Sequence, residues 1–475
     1  MNLEKFLEDY RFKGEFPLTS QQKDYIRDCV EGVNHVANWS NAGTGKSVCL
    51  EALKEYLGDE LIICATTGIA NSILFNNRGG DGTMHKVFSV PPAMHNTNNS
   101  KIKSYTSGLF GGSDLVKYVI IEEAGMLNPD QLDLISKRIT SFNKPRRGKR
   151  EARSIKLILQ GDFLQLLPVI DDRHEKPYLR QKYGSELLFE SKPYKDLKFN
   201  VHVFTNVMRT NDKVFKACLD VMRYGQEDRY PKALQWVNKF YRSNIPEGLP
   251  FITTTNKKVD IANEAAVNSN SNPAYEYVAE ISGKFNMKDC PASERLILKK
   301  GLPVITLVNS PEGLYSNGSF GYVEDCLEDG CFINFPATGE THFVEVSDFE
   351  QRESFVSEQK NDNGEVESIL DSKVVGRAKV LGVKVAAAFS IHRMQGRTLD
   401  VPAVVDLGYY GFDMNPENEW GINMCYVACS RFVRPEDMYL KYPLKHDTVK
   451  GKTHIKSHRK AIEYLSQFIS KESGL

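Results

Sequence analysis

The sequence has no excess of charge of either sign, no paired cysteine motif and no long apolar run. Its 475 residues carry 61 Lys and Arg against 61 Asp and Glu, so any polyanion site must be a local groove. The nine cysteines include no Cys-x-x-Cys pair, which indicates reduced, buried thiols rather than disulfides or structural zinc. The N-terminus lacks an apolar signal core, and no apolar stretch has membrane-spanning length. We therefore expect a soluble intracellular protein without a membrane partner, with the cytoplasm of a bacterium or of a virus-infected cell favoured.

A glycine-rich stretch, Ser-Asn-Ala-Gly-Thr-Gly-Lys-Ser (40–47), lies between an apolar run that predicts a buried strand (34–39) and a helical pattern (48–57). Strand, glycine loop and helix are what a phosphate-binding loop requires, because backbone N–H groups and the helix N-terminus bind a polyphosphate. Lys46 can reach the β- and γ-phosphates, and the Ser47 hydroxyl can hold Mg²⁺. The sequence therefore predicts an ATP and Mg²⁺ site. Its loop contacts are Asn41, Ala42, Gly43, Thr44, Gly45, Lys46 and Ser47.

Two acidic residues, Glu122 and Glu123, close a second predicted strand at 117–121. After a phosphate loop, such a pair supplies one carboxylate for the Mg²⁺ shell and a second that orients and deprotonates the attacking water. Surface acids at a strand end are the alternative interpretation. The functional one is favoured because the carboxyl ends of parallel strands meet at the edge where the phosphate loop lies. We therefore predict Ser47 and Glu122 as metal ligands and Glu123 as catalytic base.

A glutamine, Gln22, lies on a predicted helix (18–30) that Thr19 can cap. Its amide can read an adenine edge just before the phosphate loop. A solvated glutamine is an equally good interpretation of this residue alone.

Strand–helix units continue to about residue 204 and predict a parallel sheet covered on both faces. A second α/β unit follows that lacks a phosphate loop and carries two isolated arginines, Arg209 and Arg431. Both can reach the γ-phosphate of an ATP held between two lobes, and Gln165 can sense the same phosphate. Short strands between 315 and 376 predict a small all-β insertion. Closure of the lobes can move a bound polymer.

Polar and aromatic side chains at the predicted loop edges suit a single-stranded nucleic acid, since hydroxyls and amides bind phosphates and rings stack on bases. The candidate stacking residues are His85, Phe88 and His392, and the candidate hydroxyl and amide contacts are Thr66, Thr67, Thr255 and Asn256. The segment 144–156 carries seven Lys and Arg against one Glu. A solvated basic loop and a polyanion contact both explain it.

The order of the motifs resembles the superfamily 1B DNA helicases that move 5′ to 3′, closest to the petite-integration-frequency (PIF) helicases, with RecD and the phage helicase Dda as relatives. The resemblance covers roughly residues 18–440. The motifs are Ala-Gly-Thr-Gly-Lys-Ser (42–47), Thr-Gly-Ile-Ala (67–70), Thr-Met-His (83–85), Ile-Ile-Glu-Glu (120–123), Gly-Asp-Phe-Leu-Gln-Leu-Leu-Pro-Val (161–169), Asn-Gly-Ser-Phe-Gly (317–321), Ile-His-Arg-Met-Gln-Gly-Arg-Thr-Leu-Asp (391–400) and Tyr-Val-Ala-Cys-Ser-Arg (426–431).

The resemblance implies two RecA-like P-loop NTPase lobes that use ATP and Mg²⁺ to act on single-stranded and forked duplex DNA in replication, recombination or repair, with proteins of those pathways as further partners. It adds Gly396 to the nucleotide site and Thr398 to the DNA contacts. The implied domains are a lead-in (1–17), a first lobe (18–205) with a wedge insertion (about 86–113), a second lobe (206–450) with an SH3-like insertion (about 315–376) and a C-terminal basic helix (451–475).

The chain departs from the family pattern at several positions: Glu122 replaces Asp, Ser40 replaces Gly, Cys429 replaces Leu, and Arg393-Met394 replaces Lys-Ser. Two further functions therefore stay open. One is a RecD-like motor subunit of a recombination complex, and the other is a degenerate, ATP-gated clamp on single-stranded DNA. RNA is a weaker third substrate, because nothing in the sequence reads or rejects a 2′-hydroxyl.

Overall fold

The computed structural model describes residues 2–66, 82–90, 115–144, 153–168, 170–246, 248–287, 290, 292–315, 318–336, 338–360, 366–396, 398–399, 401–415 and 417–469, without the side chains of 352–360 and 366–373. The predicted DNA contact Thr67, most of the predicted wedge insertion (91–113) and the centre of the basic segment (145–152) lie outside the described residues.

The first lobe is a parallel sheet with helices on both faces, as predicted. Its strands and the small hairpin before them are β1 (Arg11–Phe12), β2 (Phe16–Pro17), β3 (Val36–Asn38), β4 (Leu61–Ala65), β5 (Tyr118–Glu122), β6 (Lys156–Gln160) and β7 (Asn200–His202). Its helices are α1 (Leu3–Asp9), α2 (Ser20–Glu31), α3 (Lys46–Leu57), α4 (Met84–Val87), α5 (Pro129–Asn143), α6 (Glu175–Tyr183) and α7 (Lys192–Asp196). The sheet order is β4-β5-β6-β3-β7, with all neighbours parallel.

Local sequence signals explain where the helices of this lobe begin. Thr19 and Gln22 form a capping box at α2, and Asn128 and Gln131 form one at α5. Alternate residues of the strands face two separate apolar clusters, one beneath α1–α3 and one beneath α5. Because both faces are covered, β4, β5 and β6 are continuous apolar runs, as parallel strands usually are.

The second half of the chain contains strands β8 (Phe251–Thr253), β9 (Tyr275–Val278), β10 (Glu280–Gly283), β11 (Arg295–Leu298), β12 (Pro303–Thr306), β13 (Phe320–Leu327), β14 (Gly330–Phe335), β15 (Glu340–Lys360), β16 (Val366–Leu381), β17 (Val383–Val385), β18 (Ala388–Ser390), β19 (Ala403–Asp406), β20 (Phe412–Asp413), β21 (Met438–Leu440), β22 (His446–Asp447) and β23 (Lys452–Thr453). Its helices are α8 (Lys213–Arg223), α9 (Tyr230–Val237), α10 (Asn256–Ser269), α11 (Met424–Cys429) and α12 (Arg459–Ser466). The second lobe is built on a parallel sheet in the order β18-β8-β19-β21.

The antiparallel sheet of this half is wider than the predicted insertion at 315–376. Its order is β10-β16-β15-β14-β13-β12-β17. The apolar run at 302–308, which by its sequence predicts a strand of the α/β unit, contains β12, and β12 joins this sheet antiparallel to β13 and β17. The segment 379–389, where the sequence pattern indicates that the α/β unit resumes, is divided between the end of β16, β17 and β18. A continuous apolar run therefore did not distinguish a parallel strand from an antiparallel one.

The C-terminal helix packs on the first lobe although it follows the second. Ala461 and Leu465 of α12 are fully buried in the apolar cluster of the first lobe. The Tyr464 hydroxyl lies 2.8 Å from that of Tyr194. This helix occupies only the central part of the segment 451–475 that was predicted as a C-terminal basic helix. Among the helices of the described part of the chain, none combines the length and apolar character needed to cross a lipid bilayer.

Candidate nucleotide site between the lobes

The phosphate loop begins directly after β3 and needs glycine at two positions. Gly43 and Gly45 have φ of +75° and +86°, in the left-handed region that favours glycine. A Cβ on Gly43 would lie 2.5 Å from Cβ of Arg209, and one on Gly45 would lie 2.3 Å from Nε2 of Gln22. Both close approaches bring neighbouring segments against the loop, so other residues there would force the loop open.

Lys46 and Ser47 form the first turn of α3, where a polyphosphate would lie. The Lys46 ammonium donates to the carbonyls of Ser40 (2.8 Å) and Asn41 (3.0 Å). Burial lowers the pKa of Lys46, against the opposing effect of the nearby carboxylates. These two loop carbonyls therefore hold the cation at the loop, and an incoming phosphate would compete with them for it.

Gln22 closes the loop from the other side with both ends of its amide engaged. Its Oε1 accepts from the backbone N–H of Thr19 (2.9 Å), and its Nε2 donates to the carbonyl of Thr44 (3.2 Å). The Thr44 hydroxyl in turn donates to the carbonyl of Asn41 (2.9 Å). In this structure Gln22 and Thr44 therefore shape the loop, and the adenine contact of Gln22 stays a prediction.

The two carboxylates differ in environment although they are adjacent. Glu122 ends β5 and is 4% exposed, while Glu123 has φ +52°, a left-handed conformation that is strained for this residue type. Burial raises the pKa of both carboxyls, for Glu122 to about 8. The turn directs Glu123 towards the second lobe, because its Oε1 would lie 3.1 Å from a Cβ on Gly396.

A buried hydrogen-bonded chain fixes Glu122. The Tyr25 hydroxyl on α2 donates to Oε1 of Gln160 (3.0 Å), and Nε2 of Gln160 donates to Oε1 of Glu122. Tyr25 and Gln160 are fully buried. The donor orientation of the Gln160 amide follows from this pairing. One oxygen of Glu122 is thereby held in place by the neighbouring strand β6.

Two arginines and a glutamine that the sequence proposed for the γ-phosphate line the same cavity. Arg209 donates from Nη1 to the carbonyl of Ser430 (2.6 Å), and burial lowers its pKa to about 9. Arg431 is 1% exposed and donates from Nε to the carbonyl of Val427 (2.9 Å). Gln165 donates to Asp162 through Nε2 (3.3 Å). Its Oε1 is buried without a hydrogen-bond partner among the described residues.

A buried ion pair that sequence analysis missed joins the lobes beneath these residues. Asp162 and Arg223 are both without exposed side-chain surface and form a salt bridge. Arg223 also donates to the Tyr426 hydroxyl (3.3 Å), which accepts from the backbone N–H of Ala42 (3.4 Å). Asp162 belongs to the motif at 161–169, but nothing in the sequence indicated Arg223 as its partner. Arg223 lies 61 residues further along the chain.

The predicted residues surround one cavity of about 630 Å³ between the lobes, a size usual for small-molecule sites. Those that line it are Gln22, Ala42, Gly43, Gly45, Lys46, Ser47, Glu122, Glu123, Gln165, Arg209, Gly396 and Arg431. Thr398 also lines it, which favours a contact with the nucleotide over the predicted contact with DNA. Cations, carboxylates and the loop together suit a Mg²⁺-bound polyphosphate.

The remaining predicted DNA contacts differ in how far their side chains are exposed to solvent. Phe88 is fully buried in the first-lobe cluster, so the prediction that it stacks on a base is wrong for this structure. Its ring fills the core behind α4. His85 is bonded through Nδ1 to the carbonyl of Val90 (2.8 Å). Exposed positions include Asn256, at the start of α10, where Thr255 provides the cap (3.3 Å).

Removing the Tyr25 hydroxyl should destabilise the fold modestly. In Tyr25→Phe, Oε1 of Gln160 stays buried without its donor, so we expect the free energy of unfolding to fall by about 1–3 kcal/mol. Urea denaturation measures this. Tyr118→Phe is the matched control, because its half-buried hydroxyl bonds only the carbonyl of Val30 at 3.3 Å, and we expect a change below about 0.5 kcal/mol. Equal effects of the two substitutions would contradict a special role for the buried chain.

Known proteins resemble this chain in sequence and in fold. Residues 18–229 match the family model of the PIF1-like helicases. ATP-dependent DNA helicase RRM3 of Saccharomyces cerevisiae is 26% identical over 64% of this chain and 42% of its own length. ATP-dependent DNA helicase Pif1 of Campylobacter jejuni is 24% identical over 84% of this chain and 86% of its own length. The chain thus spans less than half of the yeast protein.

The fold likeness extends over nearly the whole chain. The crystal structure of Pif1 helicase from Bacteroides in complex with ADP-AlF3 and ssDNA superposes on this chain with a TM-score of 0.74 and 22% sequence identity. The match covers 97% of this chain and 99% of the Bacteroides chain. This likeness shows the fold, with two RecA-like lobes. The family model, the relatives and the fold together make this chain similar to the PIF1-like helicases.

Proposed function

We propose that this protein is an ATP- and Mg²⁺-dependent DNA helicase that moves 5′ to 3′ on single-stranded DNA and unwinds duplex DNA. The observation that carries the proposal is the cavity in which Lys46 and Glu123 of one lobe lie with Arg431 of the other. Hydrolysis in such a cavity changes the contacts across the lobes, and this is what a motor requires. The polarity rests on the resemblance to the family.

The donor set fits a Mg²⁺-bound ATP. When bound, the nucleotide and its metal supply a scissile phosphoanhydride and a cation that neutralises developing charge. Lys46 would bind the β- and γ-phosphates, and Ser47 and Glu122 would hold the metal. Glu123 would accept the proton of the attacking water, with Gln165 orienting that water through Oε1.

The two arginines would act from the second lobe and its connection. Arg209 lies against the loop at Gly43, and Arg431 is held by the backbone carbonyls of Val427 and Met394. Guanidinium groups placed at the γ-phosphate stabilise the charge of the transition state. Because they donate to carbonyls of the second lobe, movement of that lobe carries them towards or away from the phosphate.

Contacts of the site with the rest of the protein support coupling to a DNA strand. The Thr66 hydroxyl, a predicted DNA contact, donates to the carbonyl of Glu123 (3.1 Å). From the second lobe, Asn423 donates to the carbonyl of Gln165 (2.8 Å) and Gln395 to that of Leu166 (3.1 Å). DNA held at Thr66, Asn256 and His392 would therefore act on the backbone of the catalytic residues.

The decisive experiment is ATP hydrolysis with and without single-stranded DNA, followed by unwinding of duplexes that carry a 5′ or a 3′ tail. We expect strong stimulation by DNA and unwinding of the 5′-tailed duplex. DNA binding without stimulated hydrolysis would indicate the clamp instead. Activity that appears only with a stoichiometric partner would indicate a RecD-like subunit, and stimulation by RNA alone would change the substrate.

Shortening the unusual metal carboxylate should preserve turnover. Glu122→Asp removes one methylene, so the shorter carboxylate would lose the bond to Gln160. Aspartate is, however, the residue that the family pattern has at this position. We therefore expect kcat for ATP to stay within about twofold of wild type or to rise, with a changed Mg²⁺ requirement. A magnesium titration of steady-state hydrolysis measures both. Complete loss would mean that Gln160 and the longer side chain are matched to each other.

A further inference from the structure

The second lobe carries an exposed cluster of aromatic and basic side chains that the proposed site does not use. Tyr409 and Tyr410 are 51% and 73% exposed. Their rings lie 4.9 Å apart at 90°, and Tyr442 packs against Tyr409 at 5.7 Å. Large exposed aromatic groups of this kind mark interaction sites more often than ordinary surface.

Three lysines surround these rings. The Lys445 ammonium lies 4.0 Å from the ring centre of Tyr409, and Lys441 lies 5.7 Å from that of Tyr442. Lys441 and Lys258 share one carboxylate, Asp406, at 3.1 and 3.3 Å. Asp406 is only 9% exposed in its side chain, while both lysines are more than a third exposed. The group therefore presents more positive than negative charge to solvent.

The cluster continues the edge at which the predicted DNA contacts lie. The parallel order β18-β8-β19-β21 places the segments after each strand side by side. His392 follows β18, Asn256 follows β8, Tyr409 follows β19 and Tyr442 follows β21. Neighbouring strands are ~4.8 Å apart, so the segments that carry Tyr409 and Asn256 leave the sheet about one strand spacing apart. Lys258 connects the segment that carries Asn256 with the one that carries Tyr409, because its ammonium would lie 3.7 Å from a Cβ placed on Gly408.

We propose that Tyr409 and Tyr410, with Lys258, Lys441 and Lys445, form an additional binding site for single-stranded nucleic acid that extends the proposed DNA track of the second lobe. Exposed rings stack bases of any sequence, and neighbouring ammonium groups bind the phosphates between them. The site adds one or two nucleotides beyond Asn256. This inference rests on the proposed function, because it extends the same strand.

The test compares Tyr409→Ala/Tyr410→Ala with Tyr409→Phe/Tyr410→Phe, which keeps the rings and removes the hydroxyls. Affinity is measured by anisotropy for oligothymidylates from 4 to 14 nucleotides long. We expect the alanine variant to lose about 5- to 100-fold in affinity for the longest strands and to stop gaining affinity one or two nucleotides earlier than wild type. The phenylalanine variant should match wild type.

A second measurement reports stacking directly. An oligonucleotide with 2-aminopurine at one end should be quenched by wild type and by the phenylalanine variant, but not by the alanine variant, with melting temperature as the folding control. Equal affinity and length dependence of all three proteins would overturn the inference, as would equal losses in both variants. A protein that binds wild type but not the alanine variant, with DNA binding unchanged, would assign the cluster to a protein partner. If wild type binds no single-stranded DNA at any length, the proposed function fails.

Discussion

Glu123→Gln is expected to bind ATP and single-stranded DNA almost as well as wild type while hydrolysing ATP about 10²–10⁴-fold more slowly, the range of a lost general base. The amide has the shape of the carboxylate but cannot accept the proton of the attacking water. The left-handed turn at Glu123 places the side chain beside Gly396 of the second lobe. The backbone carbonyl of Glu123 accepts from the Thr66 hydroxyl and from the N–H of Met126, and neither contact involves the carboxylate.

Two measurements separate this result from a loss of binding. A fluorescent ATP analogue gives the nucleotide affinity, and a single-turnover assay gives the rate of the chemical step. Glu60→Gln is the matched control, because Glu60 is a half-buried acid at the surface that pairs with Lys117, and it should leave both values unchanged. Hydrolysis by Glu123→Gln at the wild-type rate would refute the role. If Glu122→Gln alone then abolished hydrolysis, Glu122 would be the base.

The residues that sequence analysis expected to lie together, and that line one cavity in the structure, belong to segments with strong local signals. The phosphate loop requires two glycines, a lysine and a helix start within eight residues, and the structure places them at the end of β3. Glu122 and Glu123 end a strand whose apolar residues are contiguous. Because parallel strands end at one edge, these distant segments were expected to meet, and they line one cavity with Arg209 and Arg431.

The parts that were missed depend on contacts between residues far apart in the chain. Phe88 follows a motif with a histidine, and only the packing of α4 decides whether its ring faces the core or the solvent. Arg223 reaches Asp162 from a helix whose sequence pattern is that of an ordinary amphipathic surface helix. Gln160 contacts Glu122 across neighbouring strands. Periodicity gives the face of a residue on its own element but not its partner on another.

Lys46→Ala is expected to abolish ATP hydrolysis with or without DNA. Each hydrogen bond between the ammonium and a phosphate oxygen contributes about 1.5–3 kcal/mol. Losing two of them raises the barrier by about 3–6 kcal/mol, a 10²–10⁴-fold loss of rate. Folding should survive, because Lys46 lines an open cavity from which water can replace its ammonium at the carbonyls of Ser40 and Asn41.

Phosphate release at saturating ATP, with and without single-stranded DNA, measures this loss, and melting temperature checks the fold. Lys46→Arg is the matched control, because it keeps the charge on a bulkier, planar group. It should retain DNA binding and weak nucleotide binding. If Lys46→Ala still hydrolysed ATP at the wild-type rate, the measured activity would come from another site or a contaminant. The cavity would then not be the site of ATP hydrolysis. If both variants bound DNA normally and neither hydrolysed ATP, a charge at this position would not suffice. The loop would then require the compact, tetrahedral shape of the ammonium, which fits between the phosphate oxygens.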